Sequence, residues 1–111
     1  MESADAALNI LVADDHPLFR GALRQVLSGL SSPCNIREAG DFATAKKMLQ
    51  DDSDFDLILL DLNMPGASGH SAIVGLSAVQ ASIPIMIVSA SETPEVVRRS
   101  IELGAVGYIT K

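Results

Sequence analysis

Three stretches of this chain are unbroken apolar runs only four residues long: Ile10-Leu11-Val12-Ala13, Leu57-Ile58-Leu59-Leu60 and Ile85-Met86-Ile87-Val88. A run apolar at every position, too short for a helix, fits a strand covered on both faces, as occurs in parallel sheets flanked by helices. Between the runs the apolar spacing turns helical. Phe19, Ala22, Leu23, Val26, Leu27 and Leu30 form one stripe, with apolar residues recurring at helical spacing. Such alternation predicts βα units wound on both faces of a parallel sheet. Two weaker runs complete it. Residues 35–39 mix Ile36 and Ala39 with Arg37 and Glu38, and residues 106–109 contain Gly107, as edge strands can. The expected fold is therefore α/β, with five parallel strands in the order 2-1-3-4-5.

Local signals place the helices. Pro17 suits the first helical position, with His16 or Asp15 capping, and Gly29 supplies a stop. Asp41 is expected to cap a second helix carrying Phe42, Ala45, Met48 and Leu49. A third, about 68–81, is diluted by Gly75 and by serines. The fourth has Thr93 to cap it, Pro94 at its start and Glu95 in its first turn. Val97 and Ile101 share a face of it, and Gly104 ends it. Asp51-Asp52-Ser53-Asp54 reads as a solvated loop, and His70 as a surface loop residue.

The chain has 111 residues, enough for one core and too few for two. A net charge of −6 argues against this segment binding nucleic acid directly, because phosphate contacts need Lys and Arg. The single Cys34 excludes an intramolecular disulfide, fits a reducing compartment and reads as a small core filler. There is no apolar run long enough to span a membrane and no basic leader, so a cytoplasmic setting without membrane attachment is expected. Residues 1–7 are expected to be a disordered lead-in to a domain at 8–111.

The chemistry lies just beyond the strand ends. Asp14 and Asp15 come after the first, Asp61 after the third, Ser89 after the fourth and Lys111 after the fifth. Ligands of open parallel sheets bind beyond the carboxyl ends of the strands. Singly, each residue has an ordinary role: the acid pair as a turn or cap, Asp61 as the opening of a Pro65-Gly66 turn, Ser89 as a loop cap, Lys111 as a surface cation. Jointly they describe a phosphoryl-accepting site, since a carboxylate can form an aspartyl phosphate. Three carboxylates within about 5 Å repel by about 3 kcal/mol per pair at an effective dielectric near 20. A divalent cation with a taste for oxygen, such as Mg²⁺, would reverse that. Lys111 would neutralise a developing phosphoryl charge.

The segments Val12-Ala13-Asp14-Asp15-His16-Pro17, Asp61-Leu62-Asn63-Met64-Pro65-Gly66, Val88-Ser89-Ala90 and Gly107-Tyr108-Ile109-Thr110-Lys111 resemble those of two-component response-regulator receiver domains. The likeness runs from about Leu8 to Lys111. It implies a doubly wound, flavodoxin-like (βα)5 fold and a non-enzymatic signalling role, with the domain assisting its own phosphotransfer and dephosphorylation. By resemblance, Asp61 is the phosphoacceptor for a sensor histidine kinase. Asp15, Asp61 and the Asn63 carbonyl would bind Mg²⁺, with Asp14 acting through water. Ser89, the Ala90 amide and Lys111 would contact the phosphoryl group. Ser89 and Tyr108 would form the switch, whose readout would be self-association, as a possible homodimer, or release of an output domain. Asp15-His16-Pro17-Leu18-Phe19-Arg20 and the segment 94–105 resemble receivers of the NarL/LuxR type, which implies a C-terminal helix-turn-helix DNA-binding domain. Complete members carry a fifth helix after the last strand. The sequence stops at Lys111, so a domain truncated after its fifth strand is expected, with the first helix's face of the sheet partly uncovered.

Other classes fit less well. An aspartate-nucleophile phosphohydrolase would place a second Asp two residues after the first, whereas Asn63 stands there and cannot donate a proton as an acid. A flavodoxin-like phosphate binder would offer glycines and hydroxyls in its first loop, where Asp14-Asp15 would repel the ligand. A receiver with another output, or one signalling without phosphate, remains an alternative.

Overall fold

The computed structural model describes residues 8–29, 33–52, 54–66, 69–91 and 93–111. Strands and helices alternate throughout: β1 (Leu8–Ala13), α1 (Pro17–Ser28), β2 (Cys34–Ala39), α2 (Phe42–Asp51), β3 (Leu57–Leu60), α3 (Ser71–Val79), β4 (Ile85–Ser89), α4 (Pro94–Glu102) and β5 (Gly107–Thr110). The five strands form one parallel sheet in the order β2-β1-β3-β4-β5. The expected lead-in, residues 1–7, lies outside the described residues.

Alternate side chains point to opposite faces of a strand. Leu11, Ala13, Ile58, Leu60, Ile85 and Ile87 pack with Ala45 and Leu49 of α2 and Ala72, Ile73 and Leu76 of α3. On the other face Ile10, Val12, Leu59 and Val88 are buried, with Phe19, Leu23 and Leu27 of α1 laid over them. Cys34 joins that second cluster, half-buried. Of the expected α1 stripe, Ala22 and Val26 are exposed and Leu30 lies outside the described residues.

Several boundaries and faces differ from expectation. β1 begins at Leu8 and β2 at Cys34, two and one residues early, because Leu8 pairs in register with Cys34. β5 begins at Gly107 and runs to Thr110, one residue late at each end. α3 is shorter than 68–81; its residue 68 lies outside the described set and its helix ends at Val79. Gly75, which weakens α3 as an isolated helix, lets the Phe42 ring of α2 pack close against it. A Cβ there would lie 2.5 Å from Cζ of Phe42 on α2. His16 occupies the N-cap of α1 without a side-chain cap bond; Asp14 Oδ1 instead accepts from the His16 amide at 2.8 Å. Asp41 caps α2 as expected, accepting from the Thr44 amide at 2.7 Å.

On α4 the inward face is Val96 and Ser100, continued by Leu103 just past its end, whereas Ile101 is exposed and Val97 half-buried. Ser100 tolerates full burial because its hydroxyl donates to the Val96 carbonyl at 2.8 Å. Gly104 ends the helix with φ +113°. His70 is not a solvated loop residue. It sits half-buried at the start of α3, with Nε2 3.1 Å from Ser100 Oγ and 3.2 Å from the Val96 carbonyl. Arg98 and Arg99 stay exposed, loosely paired with Glu95 and Glu102. In the acidic loop Asp52 pairs with Arg37, and residue 53 lies outside the described set.

Candidate functional site

Register brings the site together. Ala13 pairs with both Ala39 and Leu60, so β1 and β3 end level. The Asp14 amide donates to the Ala39 carbonyl and the Asp61 amide to the Ala13 carbonyl, each at 2.9 Å. Those bonds carry the sheet one residue beyond its strands and fix both aspartates at its rim. On the far side Ser89 pairs with Thr110, and the Lys111 amide donates to the Ser89 carbonyl at 2.8 Å.

Asp14 and Asp61 are almost wholly buried, at 2% exposure each. Ligand atoms of Asp14, Asp15, His16 and Asp61 all lie within 4.8 Å of one another. Lys111 Nζ reaches into this cluster, 2.9 Å from Asp14 Oδ2 and 3.1 Å from Asp61 Oδ2. Its partial burial pulls the ammonium pKa down, but its contacts with Asp14 and Asp61 outweigh that and hold it above its ordinary value. The ring of Phe19 lies beneath it, 4.6 Å from Nζ.

Asp61 Oδ1 accepts from the Asn63 amide at 3.0 Å, which orients the carboxylate. Asp14 Oδ2 and Asp15 Oδ1 are buried oxygens without a hydrogen bond, the former balanced only by the Lys111 ion pair. Buried carboxylate oxygens left this way are costly unless a cation answers them. Two under-satisfied oxygens beside the Asp61 carboxylate, all hard donors, suit a divalent ion.

The hydroxyl side of the rim is built differently. Ser89 is fully buried, its Oγ accepting from the Ser91 amide at 3.2 Å. Ala90 follows at an exposed position. Tyr108 is half-buried against the main core, and its hydroxyl donates to the Ser91 carbonyl at 2.8 Å. Ser91 and Thr93 share a hydroxyl contact of 2.9 Å, which takes the Thr93 side chain away from capping α4.

The acid pair, Asp61 and Lys111 thus meet directly, while Ser89, Ala90 and Tyr108 stand beside them along β4 and β5. Three participants were not singled out for the site from sequence. His16 places Nδ1 2.9 Å from Asp14 Oδ1, 3.2 Å from Asp15 Oδ1, 3.4 Å from Asp61 Oδ2 and 3.0 Å from Lys111 Nζ. This nitrogen can donate to a carboxylate or accept from Lys111, one at a time. Phe19 and Arg20 return over the site because Pro17 starts a helix whose first turn brings them back. That spacing was the available signal.

Comparisons with known proteins agree with this geometry. The family model "Response regulator receiver domain" matches residues 10–111. The glycerol metabolism activator of Pseudomonas putida is 44% identical over 102 residues, covering 92% of this chain and 46% of that protein. The nitrate/nitrite response regulator NarP of Escherichia coli (strain K12) is 38% identical, covering 92% and 47%. The chain therefore spans about half the length of these curated relatives. Among solved structures, the NarL signal receiver domain of Mycobacterium tuberculosis superimposes with a TM-score of 0.81 at 31% identity, covering 94% of this chain and 83% of that one. A Burkholderia pseudomallei response regulator, solved with a phosphorylated aspartic acid, calcium ion and citrate, gives 0.81 at 27% identity, covering 94% and 59%. The sheet order, the acidic rim and these matches together place the chain in the response-regulator receiver family, among relatives of the NarL type.

Proposed function

We propose that Asp61 is the phosphoacceptor, taking a phosphoryl group from the phosphohistidine of a sensor kinase. An Asp61 oxygen forms the new P–O bond as the P–N bond breaks, and the imidazole leaves with its electron pair and is protonated. The observation that carries this reading is the burial of the Asp61 carboxylate at a central strand end, 3.1 Å from Lys111. Lys111 would neutralise the added charge. Asp14, Asp15, Asp61 and the Asn63 carbonyl would hold Mg²⁺, which supplies charge neutralisation for the incoming phosphoryl oxygens. Ser89, the Ala90 amide and Lys111 would bind those oxygens. In support, a related structure carries both a phosphorylated aspartate and a divalent ion.

The response would run through Ser89 to Tyr108. Drawing the Ser89 hydroxyl toward the phosphoryl group releases the Ser91 amide that it now accepts from. The Ser91 carbonyl holds the Tyr108 hydroxyl, so loop and ring would shift together. The output would be a C-terminal helix-turn-helix DNA-binding domain, or phosphorylation-dependent self-association, in a cytoplasmic regulator. A relative from Mycobacterium tuberculosis named as a probable transcriptional regulatory protein, and the greater lengths of the curated relatives, support that reading. Among the described residues no helix is long and apolar enough to cross a membrane.

The test is intact-protein mass spectrometry after exposure to a small acyl phosphate with Mg²⁺. One phosphate adduct is expected on the parent and none on Asp61→Asn. An undiminished adduct on the variant would assign the chemistry elsewhere.

A further inference from the structure

Asp15 is the least constrained member of the acid cluster. Asp14 is buried and accepts from the His16 amide, and Asp61 accepts from the Asn63 amide. Asp15 Oδ1 has no hydrogen bond; its one polar neighbour is His16 Nδ1 at 3.2 Å, on an exposed ring shared with Asp14, Asp61 and Lys111, so its aim depends chiefly on the backbone that carries it. That backbone is the peptide joining Asp14 to Asp15. On its N-terminal side the chain is tied to β2 through the Asp14 amide, and the Asp14 carbonyl lies beyond the sheet's ladder. The group that holds this carbonyl is the Arg20 guanidinium, with Nη1 2.6 Å from the Asp14 oxygen.

Arg20 is itself fixed from the other side. Its Nε donates to Glu38 Oε1 at 2.8 Å, and the second oxygen of Glu38 takes Nη2 of Arg24 at 2.6 Å and its Nε at 3.0 Å. Arg24 also donates to the Ile36 carbonyl at 3.1 Å. The brace thus runs from β2 through Glu38 to a guanidinium on α1, and from there to the turn after β1. A planar fork suits two fixed acceptors in a way an ammonium does not. The Arg20 side chain is mostly covered, at 20% exposure.

We infer that Arg20, braced by Glu38, is a positioning residue for the acid site: by holding the Asp14 carbonyl it sets the plane of the 14–15 peptide and so the aim of the Asp15 carboxylate. This rests on the proposed role of Asp15 as a metal ligand. Arg20, bonded to the Asp14 carbonyl and Glu38, would touch neither metal nor phosphoryl group and acts through the backbone. Loss of the brace leaves the charges of the acid cluster in place and loosens their geometry. The defect is therefore one of metal affinity, overcome by excess metal.

Calorimetric Mg²⁺ titrations of the parent, Arg20→Gln, Arg20→Lys and Glu38→Gln test it, with Arg37→Gln as a control that removes a cation from the same edge of the sheet. Circular dichroism establishes that each is folded. Both Arg20 variants are expected to bind Mg²⁺ about tenfold more weakly, the scale seen when groups orienting a metal ligand are removed. Glu38→Gln is expected to show a smaller loss in the same direction, and it carries the test if Arg20 variants do not fold. Arg37→Gln should match the parent. The acyl-phosphate phosphorylation rate should fall at limiting Mg²⁺ and return to the parent's value at saturation. Parent-like affinity in Arg20→Lys would show that charge alone suffices and overturn the positioning role. So would parent-like affinity in Arg20→Gln, or in Glu38→Gln where that variant carries the test. A parent that does not bind Mg²⁺ would overturn the metal-site reading itself, a result distinct from the other two.

Discussion

The two halves of the rim solve the same problem, a polar group at a buried strand end, by opposite means. At β1 and β3, Asp14, Asp15 and Asp61 are crowded together and balanced by one lysine that arrives from β5. At β4 and β5, Ser89, Ser91, Thr93 and Tyr108 are neutral and pair among themselves or with backbone. The first half is held under repulsion of about 3 kcal/mol per carboxylate pair at an effective dielectric near 20. The second is near rest. The contrast teaches where a switch would store its energy: added charge would be felt in the acid half, and movement would be cheap in the hydroxyl half, where each bond is worth about 1 kcal/mol net.

Removing the cation should stress this contrast most. Lys111→Met is expected to destabilise the metal-free protein by about 3 kcal/mol, because it leaves buried carboxylates unpaired. Chemical denaturation would measure it, and added Mg²⁺ should return part of the loss. No change in stability would show that the acid half carries no stored repulsion. Asp15→Asn should act in the other direction, stabilising the metal-free protein by about 1.5 kcal/mol, roughly half of one pairwise repulsion since Asp15 is partly exposed. The same variant should lose metal binding, so its melting temperature should stop responding to Mg²⁺.

In the hydroxyl half, Tyr108→Phe should cost only about 1 kcal/mol, the worth of one hydrogen bond to a carbonyl that water can reach. A loss as large as that of Lys111→Met would erase the difference between the halves. The smallest effect concerns the brace behind the acid half. Hydrogen bonds from Arg24, then from Arg20, hold the Glu38 carboxyl below its ordinary value of 4.5. Its contribution is therefore fully present above that value and is lost as pH falls through the lower folded value. Acid titration of stability should show a shallower slope in Glu38→Gln than in the parent.

The acid half was legible in the sequence because charges after continuous apolar runs have few places to go in a parallel sheet. Asp14, Asp15, Asp61 and Lys111 meet where the runs predicted, and the sheet order followed from which runs were wholly apolar. The hydroxyl half was legible only as identities, since the bond of Tyr108 to the Ser91 carbonyl depends on how the loop after β4 folds back. Helix faces failed where polarity misled. Ser100 faces inward in place of Ile101 because its hydroxyl is satisfied within its own turn, and hydropathy cannot see that. His70 was missed because its partners lie on α4, and Arg20 because one partner is a backbone carbonyl and the other, Glu38, lies on β2.

The position of Tyr108 also gives the molecule an optical reporter. It is the one tyrosine in a chain without tryptophan, so emission excited near the phenol band comes from a single ring whose hydroxyl rests on the loop between β4 and α4. A fluorophore in that place reads the local geometry of the loop without a label. Emission lifetime and anisotropy recorded during phosphorylation would therefore follow the departure of this ring from the Ser91 carbonyl in real time, separately from events at the acidic end of the site.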